Sequence, residues 1–114
     1  MKTIIAGSRD ISNYAFIEEA IVESGFEVSI VLSGCARGVD QLAEQWAEKN
    51  NVPVHKFPPD WKKYKRGAGP VRNRQMAEFA EACIVLWDGK SPGTKNMISL
   101  AKKYELSLYI FRID

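Results

Sequence analysis

Short runs of apolar, often β-branched residues alternate along this chain with longer stretches whose apolar positions recur every three or four residues. Lys2–Ala6 is the first short run, closed by Gly7, and predicts a buried strand. Asn13–Ser24 then sets Phe16, Ile17, Ala20 and Ile21 on one helical face, with Gly25 as a stop. Glu27–Leu32 predicts a second strand, and Val39–Asn50 a second helix facing inward through Val39, Leu42, Ala43, Trp46 and Ala47. Val52–Phe57 predicts a shorter strand nearer an edge. Pro58–Gly69 shows no period and is expected to be irregular, after which Pro70 suits the first turn of a helix reaching about Ala80. Ala82–Trp87, Thr94–Tyr104 and Ser107–Arg112 complete the series as strand, helix and strand.

Strands separated by helices of this length imply right-handed crossovers and an α/β fold. The expected architecture is a Rossmann-like three-layer sandwich, with a mostly parallel five-stranded sheet in the order 3-2-1-4-5, forming one domain over residues 1–114. In such a sheet the chain reverses its winding between strands 1 and 4, and ligands sit beyond the carboxyl ends of the strands at that point. Unusual residues should therefore gather after strands, and they do. Gly7-Ser8-Arg9-Asp10, Ser33–Asp40, Pro58–Trp61 and Asp88–Thr94 all follow strands, whereas Ser24-Gly25-Phe26 and Asn50-Asn51, at the other edge, are plain.

Composition narrows the class without naming a ligand. The 114 residues are 46% hydrophobic and 26% charged, ordinary for a globular protein, and the net charge is only +2, so a case for an anionic partner has to be local. The apolar start of the chain is too short for a signal-peptide core and no window approaches a membrane span. Cys35 and Cys83 share no metal-ligand spacing and His55 is the single histidine, so no metal site is expected. Free thiols and the absence of a targeting segment lead us to expect a cytoplasmic protein.

Ser33–Asp40 carries the strongest local chemistry. Gly34 and Gly38 allow a tight turn and a close approach, the helix start that follows offers free N–H groups, and Arg37 adds a planar donor suited to phosphate. Packing of a tight strand-to-helix turn is the alternative reading of the same glycines. Arg37, Arg72, Arg74 and Lys95 all lie at helix starts, where cations are disfavoured unless an anion neutralises them. In Asp88–Thr94, Gly89 and Gly93 permit close approach and Ser91 and Thr94 can donate to phosphate or sugar. Thr94 also suits an N-cap, and Asp88 suits either a ribose hydroxyl or closure of a turn. Trp61 and Tyr64 stand among Lys62, Lys63, Lys65, Arg66, Arg72 and Arg74, a pattern that serves base stacking or a solvated loop, with Gly67 and Gly69 as hinges for a lid.

The segments SGCARGVDQLAEQWA, PPDWKKYKRGAGPVRNRQM and WDGKSPGT together resemble the YspA-type, cpYpsA-related branch of the SLOG superfamily, which also contains the Smf/DprA proteins and the LOG phosphoribohydrolases. The likeness runs from Gly7-Ser8-Arg9 to the last strand. It implies a Rossmann-like fold, a pocket for a nucleotide or ADP-ribose-like ligand, and phage- or defence-linked settings. It would place Gly7, Ser8, Arg9, Gly34, Arg37, Gly38, Asp40, Arg72, Asn73, Gly93 and Thr94 around that ligand. The LOG-type PGGxGTxxE motif is interrupted here, because Met97 stands where its glutamate would fall and methionine cannot move a proton. A small-molecule sensor or sequestering role is thus expected first. The alternatives are an N-glycosidase or phosphohydrolase using Asp10, Asp40 or Asp88, and single-stranded nucleic-acid binding of the Smf/DprA type. Resemblance to LOG proteins also implies a homodimer.

Overall fold

The computed structural model describes residues 1–113. Its strands are β1 (Lys2–Gly7), β2 (Ile30–Ser33), β3 (Val54–Lys56), β4 (Ala82–Trp87) and β5 (Ser107–Arg112). Its helices are α1 (Tyr14–Ser24), α2 (Val39–Lys49), the short α3 (Trp61–Tyr64), α4 (Ala68–Phe79) and α5 (Pro92–Lys103). The sheet has the expected order β3-β2-β1-β4-β5, and every neighbouring pair is parallel.

Alternation along the central strands explains the three layers. On β1, β2 and β4, Ile5, Val31, Ile84 and Leu86 face one side and pack with Ile17 and Ala20 of α1 and Val39, Leu42, Ala43 and Ala47 of α2. Their neighbours Ile4, Leu32, Cys83 and Val85 face the other side and pack with Met76 and Ala77 of α4 and Met97, Ile98 and Ala101 of α5. A strand buried on both faces reads as a continuous apolar run, which is why β4, ACIVLW, was legible to the residue. Each fully buried Ile or Leu contributes on the order of 1.5–3 kcal/mol.

Several boundaries differ from expectation. β2 starts at Ile30, not Glu27, because its register pairs Lys2 with Ile30 and leaves Glu27 no strand to pair with; the Glu27 carbonyl accepts from the N-terminal ammonium at 2.7 Å. β3 starts at Val54, not Val52, because the Val52 N–H turns back to the Ala47 carbonyl at 2.8 Å and Pro53 has no N–H to offer. The stretch expected to be irregular contains α3, whose start is capped by Asp60 accepting from the Lys63 N–H at 3.1 Å, and a 3-10 turn over Lys65–Gly67. α4 therefore opens at Ala68, ahead of Pro70, and Gly69 is a helical residue instead of a hinge.

Candidate functional site

β1 leads to α1 on one face of the sheet and β4 leads to α5 on the other, so the chain parts between their carboxyl ends. A cavity of about 540 Å³ opens there. Its floor is the end of β1, Ala6, Gly7 and Ser8. One wall is the β2–α2 loop with Ala36, Arg37 and Asp40, and a second is Asp88 with the Lys90–Thr94 stretch. Arg72, Asn73 and Met76 of α4 and Met97 of α5 close it from behind, while Arg9 and Asp10 stand at the rim.

The backbone of the first wall is pinned from below. The Ser8 carbonyl accepts from the Val39 N–H at 3.4 Å, and the Ser8 N–H donates to the Leu86 carbonyl at 3.2 Å. Gly38, at φ 78° and ψ −126°, passes so close beneath this strand end that a Cβ would lie 2.5–2.6 Å from the carbonyls of Ser8 and Arg9. Glycine is required there by both conformation and space. Gly34 leaves room for Arg72, whose Nη1 donates to the Gly34 carbonyl and whose Nε donates to Asn73 Oδ1 at 2.9 Å. Asn73 Nδ2 in turn donates to Asn96 Oδ1 at 2.9 Å and to the Gly93 carbonyl at 3.4 Å. Two adjacent side chains of α4 thus tie the β2–α2 loop to the start of α5.

That start is unusual. α5 begins at Pro92, not Thr94, with Ser91 as its N-cap residue, and no side chain caps it. Thr94 Oγ1 donates instead to Ser91 Oγ at 3.1 Å. The first helical bond runs from the Lys95 N–H to the Ser91 carbonyl, so the N–H groups of Gly93 and Thr94 precede the helical ladder. No acidic residue sits in the first turn. At the foot of the cavity Ser8 is 3% exposed, and its Oγ is buried with no hydrogen-bond partner among the described residues. The Asp88 carboxylate is its acidic neighbour, near enough that the Ser8 hydroxyl helps hold the Asp88 carboxyl down. Buried hydroxyls are nearly always paired, so the unmatched Ser8 Oγ sets this residue apart among those that line the cavity.

Charge around the cavity is mixed. Arg37 Nη2 lies 3.8 Å from Asp10, both largely in solvent, an ion pair too exposed to hold either side chain in place. Asp88 Oδ1 accepts from the N–H groups of Lys90 and Ser91 at 2.8 and 2.9 Å, which closes the turn and holds its carboxyl below the ordinary range. Asp40 is buried; desolvation pushes its carboxyl up to about 6, against the Ala36 N–H that donates to it at 3.0 Å and the nearby Arg72. Burial likewise lowers the Arg72 guanidinium from its ordinary value.

Of the residues singled out from the sequence, Gly7, Ser8, Arg9, Arg37, Asp40, Arg72, Asn73, Asp88, Ser91, Gly93 and Thr94 line this cavity. Others do not. Ser33 Oγ donates to Glu44 Oε2 at 2.6 Å and accepts from the Cys35 N–H, which turns it into the β2–α2 packing. Gly38 lies beneath the wall, and Gly89, at φ 81°, shapes the turn without facing the cavity. Arg74 points away to Glu78 at 3.8 Å, and Lys95 is exposed outside the lining, so two of the cations expected to meet an anion do not. Lys90 takes their place, a contribution hidden in the sequence because a lysine between two glycine-containing turns looks like surface. Met97, 1% exposed, lines the cavity. Gly34 and Trp61 belong to a shallower annex of about 360 Å³ beside it.

Among the described residues, no group of three or more His, Cys, Asp or Glu is placed to hold a metal ion, and no helix is long and apolar enough to cross a membrane. Parallel sheet, reversed winding and a strand-end cavity make this a Rossmann-like α/β domain with its candidate site at the switch point. The model of the YAcAr family, described as the YspA, cpYpsA-related SLOG family, matches residues 1–64, and the chain belongs to that family. The Gene 61 protein of Mycobacterium phage D29 is 29% identical over 111 residues, covering 90% of this chain and 89% of that protein. DNA processing protein A (DprA) from Streptococcus pneumoniae is similar in structure, with a TM-score of 0.77 at 20% sequence identity over 96% of this chain. The match covers 49% of the DprA chain, so this chain spans about half the length of that structural relative.

Proposed function

We propose that this protein binds a nucleotide-derived phosphate ligand at the carboxyl edge of its sheet, as a sensor or sequestering module. The observation that carries the reading is that one cavity is lined both by Ser8, whose buried hydroxyl has no hydrogen-bond partner among the described residues, and by the uncapped start of α5. A phosphoryl oxygen there would accept from Ser8 Oγ and from the Gly93 and Thr94 N–H groups, at the positive end of the helix dipole. Arg9, Arg37 and Lys90 supply mobile positive charge at the rim. Membership of a SLOG family and a DprA-like fold support a nucleotide or nucleic-acid ligand over other anions.

Binding is favoured over turnover by two of the three acidic candidates and by Met97. Met97 occupies the place of the glutamate in the LOG-type motif, Asp88 is committed to its turn, and Asp10 is in solvent beside Arg37. Calorimetric titration with ADP-ribose, cyclic nucleotides and nucleoside monophosphates tests the reading. At least one should bind, with affinity reduced about 10- to 100-fold in Ser8→Ala, the effect of losing one hydrogen bond to a charged group. Silence across the whole panel, or binding indifferent to Ser8→Ala and Arg37→Ala, would overturn it. Release of free base or phosphate from the bound ligand, abolished by Asp40→Asn, would replace it with a hydrolase.

A further inference from the structure

The cavity and its annex meet at a neck. Arg9, Ala36, Arg37 and Arg72 line both spaces, so Arg9 and Arg37 border the passage between them, while Arg72 holds its far side through Gly34 and Asn73. The compartments differ in what they offer a ring. The main cavity contains no aromatic side chain; its apolar surface comes from Ala6, Met76, Pro92 and Met97. The annex holds Trp61 and Pro59.

Trp61 is 52% exposed at the first position of α3, and among the described residues it stacks on no other ring and receives no cation. It is nonetheless set in place, because the Asp60 cap fixes the start of its helix. An indole held beside a cavity mouth, with an open face, suits stacking on a base.

The geometry points to a ligand with two ring systems joined through phosphate, a small dinucleotide-type molecule. One ring would lie against the methionine-lined wall, the other on Trp61, and the anionic linker at the arginine neck. This rests on the reading that the cavity takes a nucleotide-derived anion. A mononucleotide would fill one compartment and leave Trp61 bare.

The test compares mononucleotides with their 5′-phosphorylated dinucleotides and decanucleotides, in adenine and guanine forms, by calorimetry and tryptophan fluorescence. A dinucleotide should bind at least about tenfold more tightly than its mononucleotide and quench Trp61, as stacking of one base requires. Trp61→Ala should remove that advantage and leave mononucleotide affinity unchanged, while Trp61→Phe should restore most of it. Equal affinity of mono- and dinucleotide, indifferent to Trp61→Ala, would overturn this inference while leaving the phosphate site intact. Affinity that keeps rising to the decanucleotide would also overturn it, in favour of a nucleic-acid strand. If no nucleotide binds, the phosphate reading fails with it.

Discussion

Gly38 and Ser8 show how single residues are committed at this site. An alanine at position 38 would have to hold φ near 78° and would drive its Cβ into the Ser8 and Arg9 carbonyls. Gly38→Ala should therefore cost more than about 2 kcal/mol, read as a lowered urea midpoint with an unchanged slope. Cys35 takes φ 64° in the same loop without being glycine, so part of this loop's strain is carried by an ordinary residue. Ser8 behaves oppositely. Its hydroxyl has no partner, so Ser8→Ala should leave the ligand-free protein as stable as before or slightly more so, even as it weakens binding. Thermal melts with and without ligand separate the two effects. The glycine at 38 was legible in the sequence as a turn residue. The orphan hydroxyl was not, because a serine after a strand is common and only packing reveals that its oxygen is unmatched.

At the scale of elements, α4 is the brace of the site. Arg72 reaches the Gly34 carbonyl and Asn73 reaches the start of α5, so the two walls are held at a fixed separation by neighbouring residues on one helix. Lysine cannot reproduce the two directed bonds of the Arg72 guanidinium. Arg72→Lys should lower stability by about 1–3 kcal/mol. It should also shift amide NMR signals at both Gly34–Arg37 and Gly93–Asn96, where a local defect would disturb only the first. Sequence reading placed Arg72 against a ligand phosphate; its Nη1 and Nε are engaged by protein groups instead. That distinction depends on how α4 packs against the β2–α2 loop, which no residue pattern within α4 announces. α3 was missed because four residues have no period to detect, although Asp60 three positions before Lys63 is an N-cap signal. β4 and β5 were legible to the residue because their apolar runs end abruptly at charged or turn-forming neighbours.

For the whole molecule, the parallel sheet followed from alternation of strand and helix, and the edge that holds the cavity from the gathering of glycine and polar residues after strands. What alternation could not say is which loop side chains face the cavity, and so Ser33, Gly89, Arg74 and Lys95 fell on the wrong side of that line. Burial of Asp40 is another property of the assembled fold, and it has a global signature. Its folded carboxyl, at about 6, lies above the ordinary 3.8, so the unfolded chain loses this proton first as pH rises. Asp40 thus weakens the fold progressively as pH rises from about 3 to 7 and by a constant amount above, in all about 3 kcal/mol. Asp40→Asn has no such proton to lose. Between pH 4 and 7 the wild type should lose about 2 kcal/mol of stability relative to Asp40→Asn, measured by urea unfolding at each pH. A constant difference across that range would refute the assignment.

The central position of β1 has a consequence for how the chain is made. β1 leaves the ribosome before the strands it pairs with, and one of its flanks is completed early, when Lys2 meets Ile30. Its other flank waits for β4, since Thr3 pairs with Ala82 and Gly7 with Leu86. Until that late segment emerges, the nascent chain carries a half-satisfied sheet edge in its hydrophobic middle, the kind of exposed strand on which chains associate wrongly. Pairing across such a long separation also makes closure of the sheet slow. The switch point that opens the cavity is therefore a seam that closes late, with only β5 added after β4.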